Sequence, residues 1–218
     1  MDGRLDRPSH VVPALTRLQS APLVPEIDLY LADDRNPLWR LSEEALAARG
    51  LPAPFWAFAW SGSQAIARHV LDHPDLVRGR NILDFAAGCG LAGLAAARAG
   101  AASVTLSEID PFAIEACRLN ARHHRVEPGL KLADLTDSEA EWDVILAGDV
   151  FYTPDGVNPI TNWLSGLAHQ GCTVLIGDPG RAYLPRLRLK PVAHYQAEPR
   201  SWLEDMEIRN ARLWSFDI

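Results

Sequence analysis

Residues 81–96 read NILDFAAGCGLAGLAA: an apolar segment that ends in an acid, a turn of small residues, and an alanine-rich segment. The first part is typical of a buried strand and the last part of a helix, so the stretch predicts a strand–turn–helix unit. Gly88, Gly90 and Gly93 also match G-x-G-x-x-G, a pattern whose turn binds the pyrophosphate of a dinucleotide. The function therefore depends on which ligand this turn accepts.

Strand and helix patterns continue on both sides of this unit. Strands are expected at 81–84, 103–108, 130–133, 142–148 and 172–177, with helices at 63–73, 91–98, 111–124 and 159–169. Two more strands, at 192–198 and 211–218, have no crossing helix between them, so they should pair antiparallel at the sheet edge. The predicted fold class is α/β, with a Rossmann-like seven-stranded sheet that is mostly parallel, a C-terminal antiparallel hairpin, and helices on both faces.

Residues 1–54 are rich in proline and lack this regular alternation. Within them, residues 26–32 alternate as a strand does, and residues 41–50 are typical of a short helix that ends at Gly50. We expect residues 1–54 to form an N-terminal cap and residues 55–218 to form the main domain. Ser63 is expected to cap the first helix of that domain.

Composition excludes several classes of protein. The chain has 218 residues and a net charge of −7, which disfavours a general nucleic-acid binder. No apolar segment reaches the roughly 20 residues that cross a membrane, and the acidic N-terminus does not resemble a targeting signal. We therefore expect a cytoplasmic enzyme that binds neither nucleic acid nor membrane.

Metal chemistry is not expected either. The 3 cysteines are widely spaced and form no C-x-x-C pair. His69 and His73 are spaced to share a metal on a helix, but no third ligand accompanies them. A group of arginines (Arg181, Arg186, Arg188 and Arg200) is either a solvated face or a contact surface for an acidic partner.

Successive predicted strands end in acids, namely Asp84, Glu108, Asp134 and Asp149. The carboxyl ends of parallel strands share one edge of the sheet, where ligands bind. A pyrophosphate beside Asp84 would be destabilised by on the order of a kcal/mol. Residues 85–87 also separate this acid from the first glycine. The dinucleotide pattern is therefore interpreted as incidental. The alternative for any single acid is a helix-capping or strand-end role.

A cationic nucleoside suits this acidic edge better. S-adenosylmethionine carries a sulfonium, an ammonium and a ribose diol, and it has no phosphate. Glu108 is placed to accept both ribose hydroxyls, while Asp84 either braces the turn or faces the ammonium. Asp134 is expected to accept from the adenine amino group. The small residues from Ala86 to Gly90, including Ala87 and Gly88, let the backbone approach the cofactor.

Several motifs resemble known families. ILDFAAGCG (82–90) with LSEIDP (106–111) resembles the seven-strand class of S-adenosylmethionine-dependent methyltransferases. GDVFYTP (148–154) resembles the D-x-F-Y signature of a group of protein lysine methyltransferases. Residues 54–79 and IGDPGRAYLP (176–185) look like the lysine methyltransferases of the electron-transfer flavoprotein β-subunit. The resemblance implies that residues 55–218 form a methyltransferase domain and that this subunit is the protein partner.

By position, the resemblance also implies roles for individual residues. The cofactor would be surrounded by Trp60, Ala86, Ala87, Gly88, Glu108, Asp134 and Leu135. The target lysine would face Asp149, Phe151 and Tyr152. Ala86 stands where these families usually have a glycine, which is expected to be tolerable if its φ is negative.

The chemistry expected at this site is alignment of an amine with the methyl carbon. Phe151 and Tyr152 would lower the pKa of the lysine by desolvation, and Asp149 would orient the amine, either as a base or by positioning alone. The alternative for the two aromatic residues is that they pack the loop. Other functions that fit the sequence are a small-molecule N-methyltransferase, which acts on an amine or pyridine, and a non-catalytic cofactor-binding module. An open rim would favour a protein lysine, and a closed pocket a small molecule.

Overall fold

The computed structural model describes residues 7–32, 46, 51–196 and 210–218. Its helices are α1 (Pro8–Leu15), α2 (Ser61–Asp72), α3 (Leu91–Arg98), α4 (Pro111–His123) and α5 (Pro154–His169). Its strands are β1 (Arg17–Ala21), β2 (Val24–Leu31), β3 (Asn81–Phe85), β4 (Ser103–Glu108), β5 (Gly129–Leu132), β6 (Val144–Gly148), β7 (Thr173–Asp178), β8 (Leu189–Gln196) and β9 (Asn210–Phe216).

A seven-stranded sheet has the order β5-β4-β3-β6-β7-β9-β8. Strands β3 to β7 pair in parallel, whereas β9 is antiparallel to both β7 and β8. The predicted fold class is confirmed, and the last strand lies between β7 and β8. The chain runs outward from β3 to β5 and then returns to β6, so the order reverses between β3 and β6. Such a reversal opens a crevice at the carboxyl ends of the strands, where ligands bind.

Side chains of β3 alternate between two faces of the sheet, each of which is covered by helices. Ile82 belongs to a buried cluster that contains Ile66 of α2 and Ala92 of α3. Leu83 belongs to a second cluster that contains Leu164 of α5. Because the central strands are buried on both faces, a ligand can reach them only at their ends.

The first turn of α2 lies against the ends of β6 and β7 at a contact between three glycines (Gly62, Gly148 and Gly177). A Cβ on Gly62 would lie 2.1 Å from the carbonyl oxygen of Gly177, and one on Gly148 would lie 2.3 Å from Oγ of Ser63. Only glycine leaves room for this approach. The three-glycine contact therefore brings the N-terminus of α2 to the point where β6 ends.

The N-terminal elements form a small layer outside the helices. Strands β1 and β2 pair antiparallel as a separate sheet. Val12 of α1 packs in one buried cluster with Phe112 of α4, and Leu29 of β2 packs in another with Leu94 of α3. Strand β2 was predicted, whereas α1 and β1 were not. The helix expected at 41–50 lies outside the described residues apart from Leu46, and the domain boundary at residue 54 stays a prediction.

Two helix starts differ from the prediction. Helix α5 begins at Pro154 rather than at Pro159, which lies inside it, because proline at the first helical position has no N–H to lose. Helix α2 begins at Ser61 after Trp60, so Ser63 is not its cap. The strand expected at 192–198 is described through Gln196. No helix in the described part of the chain is long and apolar enough to span a bilayer.

Candidate active site

A cavity of about 740 Å³ opens at the carboxyl edge of the sheet. On the side of β4 and β5 it is lined by Glu108 and Asp134, and on the side of β6 and β7 by Asp149 and Arg181. The turn after β3 lies between these two sides. The volume is in the range of pockets that hold a nucleoside-sized ligand.

The turn after β3 presents backbone rather than side chains to the cavity. Ala86 and Gly88 line it, and nothing lies within 4 Å of where a Cβ on Gly88 would be. Gly90, at φ 82°, instead starts α3, and a Cβ there would lie 3.3 Å from Leu106. The side chain of Ala87 is buried in the core. The turn thus leaves open space beside the backbone of Gly88, which we call the cradle. Ala87 and Gly90 do not line the cavity and instead pack the turn against the core.

Ala86 has a φ of 52°, so the condition under which an alanine was expected to be tolerable here, a negative φ, is not met. The left-handed conformation costs an L-residue roughly 1–2 kcal/mol relative to glycine. The backbone N–H of Ala87 then donates to the carbonyl of Ser107, 3.0 Å away, which ties the turn to β4.

Replacing Ala86 by glycine is therefore expected to raise the free energy of unfolding by about 1 kcal/mol, because strain is relieved. Chemical denaturation of the two proteins measures the difference. The same substitution at Ala97, inside α3, is the control and should lower stability by about 1 kcal/mol. Equal destabilisation at both positions would show that the turn stores no strain.

Asp84 is buried behind the turn and does not line the cavity. Its Oδ2 accepts from the backbone N–H of Gly93, 2.7 Å away. Burial raises the pKa of this carboxyl to about 8, so most of it is protonated at neutral pH. Of the two roles expected for Asp84, the structure therefore favours bracing α3 over facing an ammonium group.

Glu108 lines the cavity and is held by the backbone. Its Oε1 accepts from the N–H of Gly88 at 2.7 Å, and its Oε2 accepts from the N–H of Ile109 at 3.1 Å. Burial raises the pKa of Glu108, and these two hydrogen bonds oppose that shift. Each oxygen keeps a further lone pair, so the fixed carboxylate can accept from two hydroxyls.

Asp134 lies at the same side of the cavity and is exposed. Its Oδ1 accepts from the backbone N–H of Thr136 at 3.0 Å, an arrangement that orients the carboxylate. The side chain of Leu135 is buried in the cluster beneath α5 and does not line the cavity. The contact of Asp134 with an adenine amino group stays a prediction.

Asp149 follows β6 and is buried, with a φ of 61°. Its Oδ2 accepts from the backbone N–H of Ser63 at 3.0 Å, and its Oδ1 accepts from Nη1 of Arg181 at 2.5 Å. Burial raises the pKa of Asp149, and Arg181 acts in the opposite direction. The carboxylate thus caps α2 through the three-glycine contact and also lines the cavity.

The aromatic residues of the D-V-F-Y segment point in different directions. Tyr152 lines the cavity, is 52% exposed, and lies 5.5 Å from the ring of Phe55. Phe151 is fully buried among the core residues of α5 and β7 and does not line the cavity. This buried position fits the alternative that Phe151 packs the loop, and a contact of Phe151 with the target lysine stays a prediction. Trp60 lines the cavity 6.1 Å from Phe55.

Phe55 and Arg181 are among the residues of this site that sequence reasoning missed. Phe55 lies in the proline-flanked segment before α2, where no periodicity indicates its direction. Arg181 was placed only in a surface group of arginines, yet it lines the cavity beside Asp149. Its position shortly after the end of β7 is the signal that would have found it, because that strand ends at the same edge.

Two further chemical roles concern the described residues, namely metal binding and a reactive cysteine thiol at Cys89. No three His, Cys, Asp or Glu side chains within them are grouped to hold a metal ion. Nδ1 of His69 lies 2.8 Å from the hydroxyl of Tyr195, and its ring is 4.3 Å from that of His73. Burial raises the pKa of Cys89 to about 12, which makes its thiol unreactive.

The fold is similar to solved methyltransferase structures. One is magnesium protoporphyrin IX methyltransferase from Synechocystis PCC 6803 with bound SAM, with a TM-score of 0.52, 15% identity, and coverage of 70% of this chain and 76% of the other. Another is the ribosomal protein L11 methylase from Lactobacillus delbrueckii subsp. bulgaricus, with a TM-score of 0.51, 17% identity, and coverage of 71% and 77%. At these identities the likeness concerns the fold alone.

Sequence similarity is more specific. The chain is 38% identical over 209 residues to the electron transfer flavoprotein beta subunit lysine methyltransferase of Xenopus laevis, covering 93% of this chain and 84% of the relative. It is 33% identical over 204 residues to the Homo sapiens protein of the same name, covering 90% and 77%. Residues 40–182 match the family described as lysine methyltransferase. The chain therefore belongs to the lysine methyltransferase family.

Proposed function

We propose that this enzyme transfers a methyl group from S-adenosylmethionine to lysine side chains of the electron-transfer flavoprotein β-subunit. The observation that carries the proposal is one cavity with two chemically different sides. Glu108 and the open cradle at Gly88 lie on one side, and Asp149 with Tyr152 lies on the other. The identity of the substrate rests on the relatives named for that subunit.

The residues on the first side fit the cofactor. Glu108 binds the ribose hydroxyls with its two fixed oxygens, and Gly88 lets the cofactor approach the backbone without meeting a side chain. Asp134 accepts from the adenine amino group. When bound, S-adenosylmethionine supplies an electrophilic methyl group on a sulfonium. A phosphorylated ligand is disfavoured because most of the charged groups that line the cavity are carboxylates.

The residues on the second side align the acceptor. Oδ1 of Asp149 accepts an N–H of the lysine amine and directs its lone pair towards the methyl carbon. The new C–N bond forms as the S–CH₃ bond breaks, its electron pair stays on sulfur, and the amine releases a proton to solvent. Tyr152 and Phe55 pack against the alkyl part of the lysine side chain and contact its methylated product by cation–π interaction.

The shape of the acceptor side favours a protein lysine over a small amine or pyridine. Phe55 and Tyr152 are 49% and 52% exposed, so this side of the cavity opens to solvent. A lysine side chain on the surface of another protein reaches such an opening, whereas a small-molecule enzyme normally encloses its substrate. A cytoplasmic location and the lack of a nucleic-acid partner stay predictions from the sequence.

The experiment incubates the enzyme with purified electron-transfer flavoprotein and S-adenosylmethionine. Intact-mass spectrometry should show added methyl groups on the β-subunit, and peptide mapping should place them on lysine. A β-subunit with the mapped lysines replaced by arginine is the control and should gain no mass. If the wild-type β-subunit stays unmodified while a small amine is methylated, the proposal of a protein substrate is wrong and the enzyme acts on small molecules.

Replacing Glu108 by glutamine is expected to weaken binding of S-adenosylhomocysteine by about 10–100-fold. The reason is that charge-assisted hydrogen bonds to the diol become neutral ones. Calorimetric titration measures the dissociation constant. Glu127→Gln removes the same charge at an exposed position outside the cavity and is the control. Unchanged affinity in the Glu108 variant would remove this residue from the ribose site.

A further inference from the structure

Arg181 and Asp149 form an ion pair inside the cavity. Nη1 of Arg181 lies 2.5 Å from Oδ1 of Asp149 and 3.6 Å from Oδ2 of Asp178. The guanidinium carbon lies 6.0 Å from the ring centroid of Trp60, and the side chain is 16% exposed. Among the cavity-lining residues of the described chain, Arg181 is the one lysine or arginine. The cation is therefore placed where the acceptor amine has to approach.

Most of the charged groups around this pair are acidic. Asp178 is buried, and its Oδ1 accepts from the backbone N–H groups of Gly180 and Arg181. Helix α2 contributes the N–H of Ser63, and Arg186 donates to the carbonyl of Gly180 nearby. The other titratable groups that line the cavity are Glu108, Asp110, Asp134, Tyr152 and Asp155. Without Arg181, Asp149 would be one of several uncompensated carboxylates beside the amine.

This arrangement bears on a conflict in the chemistry of the site. An uncompensated carboxylate stabilises the ammonium form of lysine, which has no lone pair and cannot accept a methyl group. The same carboxylate is useful because it orients the amine through an N–H. Both needs are met if a cation offsets the charge of the carboxylate while leaving it a free lone pair on Oδ1.

We propose that Arg181 is a positioning residue for the acceptor lysine: it holds Oδ1 of Asp149 in place and offsets its charge, so that Asp149 orients the neutral amine without stabilising the ammonium. This inference rests on the proposed function, since it concerns the same acceptor. Oδ2 of Asp149 is engaged with Ser63 on the side of α2, so the amine shares Oδ1 with Arg181.

The first test is the pH dependence of kcat, which reports the lysine pKa in the enzyme–substrate complex. In Arg181→Gln the acidic limb should move to higher pH by about one unit or more, because the carboxylate now stabilises the ammonium. Activity should fall at least about tenfold at neutral pH and largely return at high pH. Arg181→Lys keeps the charge and should shift the limb by less than about half a unit.

Arg188→Gln is the matched control, since Arg188 contacts Asn162 and Ser165 outside the cavity and should leave the profile unchanged. Thermal unfolding of each variant separates misfolding from altered chemistry, and Arg181→Met, which also removes the charge and keeps a long side chain, serves if Arg181→Gln does not fold. A loss of activity in Arg181→Gln that is equal at every pH would overturn the proposal, because a merely structural role lowers kcat without moving its pH profile.

The second test needs no substrate. Carbon NMR of enzyme labelled at the aspartate carboxyls follows the titration of Asp149, whose signal is the one missing in Asp149→Asn. The Asp149 pKa should rise by about one unit or more in Arg181→Gln and should not change in Arg188→Gln. Identical titrations in wild type and Arg181→Gln would refute the proposal. If wild type methylates no β-subunit, the proposed substrate fails, whereas the carbon titration still decides the effect of Arg181 on Asp149.

Discussion

Asp149→Asn is expected to lower kcat for lysine methylation by about 10²–10³-fold while leaving the dissociation constant of S-adenosylmethionine nearly unchanged. The amide has nearly the same shape as the carboxylate, and asparagine tolerates the left-handed backbone found at this position. It nevertheless loses the negative charge that pairs with Arg181, and with it the fixed orientation of Oδ1. The amine is then no longer held in line with the methyl carbon.

Single-turnover kinetics with saturating cofactor measure this loss, and calorimetry measures cofactor affinity. Asp137→Asn is the control, because it removes the same charge at an exposed position outside the cavity. If Asp149→Asn methylates at a rate near that of wild type, Asp149 is not the residue that aligns the acceptor. If cofactor affinity falls in parallel with kcat, Asp149 belongs to the cofactor side instead.

Gly62→Ala is expected to lower the free energy of unfolding by about 3 kcal/mol or more, since overpacking here meets backbone rather than flexible side chains. The new Cβ would lie 2.1 Å from the carbonyl oxygen of Gly177 and 2.5 Å from Oδ2 of Asp149. Helix α2 must then move away from the sheet, and the hydrogen bond between Ser63 and Asp149 lengthens. Stability and methyl transfer should fall together.

Gly166→Ala provides the matched control for this prediction. Gly166 lies inside α5, and nothing lies within 4 Å of where its Cβ would be. The substitution should raise stability by about 0.5–1 kcal/mol, because alanine is the better helix former. Denaturant unfolding of both variants gives the comparison. A Gly62→Ala protein as stable as wild type would mean that α2 does not rest on β6 and β7 as described.

The fold was predictable because its signals are local. Apolar strands, helical periodicity and the acids that follow four of the strands can be read from the sequence alone, and β4 has the predicted bounds 103–108. The N-terminal elements α1 and β1 were missed because their residues carry little periodicity of their own. They are held by contacts with α3 and α4, which are distant in sequence.

Within the candidate site, the sequence indicated which residues lie at the edge of the sheet. It did not indicate the direction in which each side chain points. Glu108 and Asp149 line the cavity as expected. Phe151 and Tyr152 are neighbours with opposite environments, since Phe151 is buried in the core and Tyr152 lies half exposed beside the cavity. The motif places both residues at the sheet edge but does not say which of the two points to the ligand. The pairing of Arg181 with Asp149 joins the ends of two strands, so it emerged only once β6 and β7 were side by side.

The three-glycine contact has a consequence for how this enzyme would tolerate variation. Gly62, Gly148 and Gly177 have no side chain with which to touch a ligand, yet the steric fit of α2 and the orientation of Asp149 both depend on them. In a saturation mutagenesis experiment scored by growth or activity, these positions should be as intolerant as Asp149 itself. To redirect the enzyme to another acceptor, substitutions should therefore be made at the half-exposed residues Phe55 and Tyr152, and the three-glycine contact should be kept.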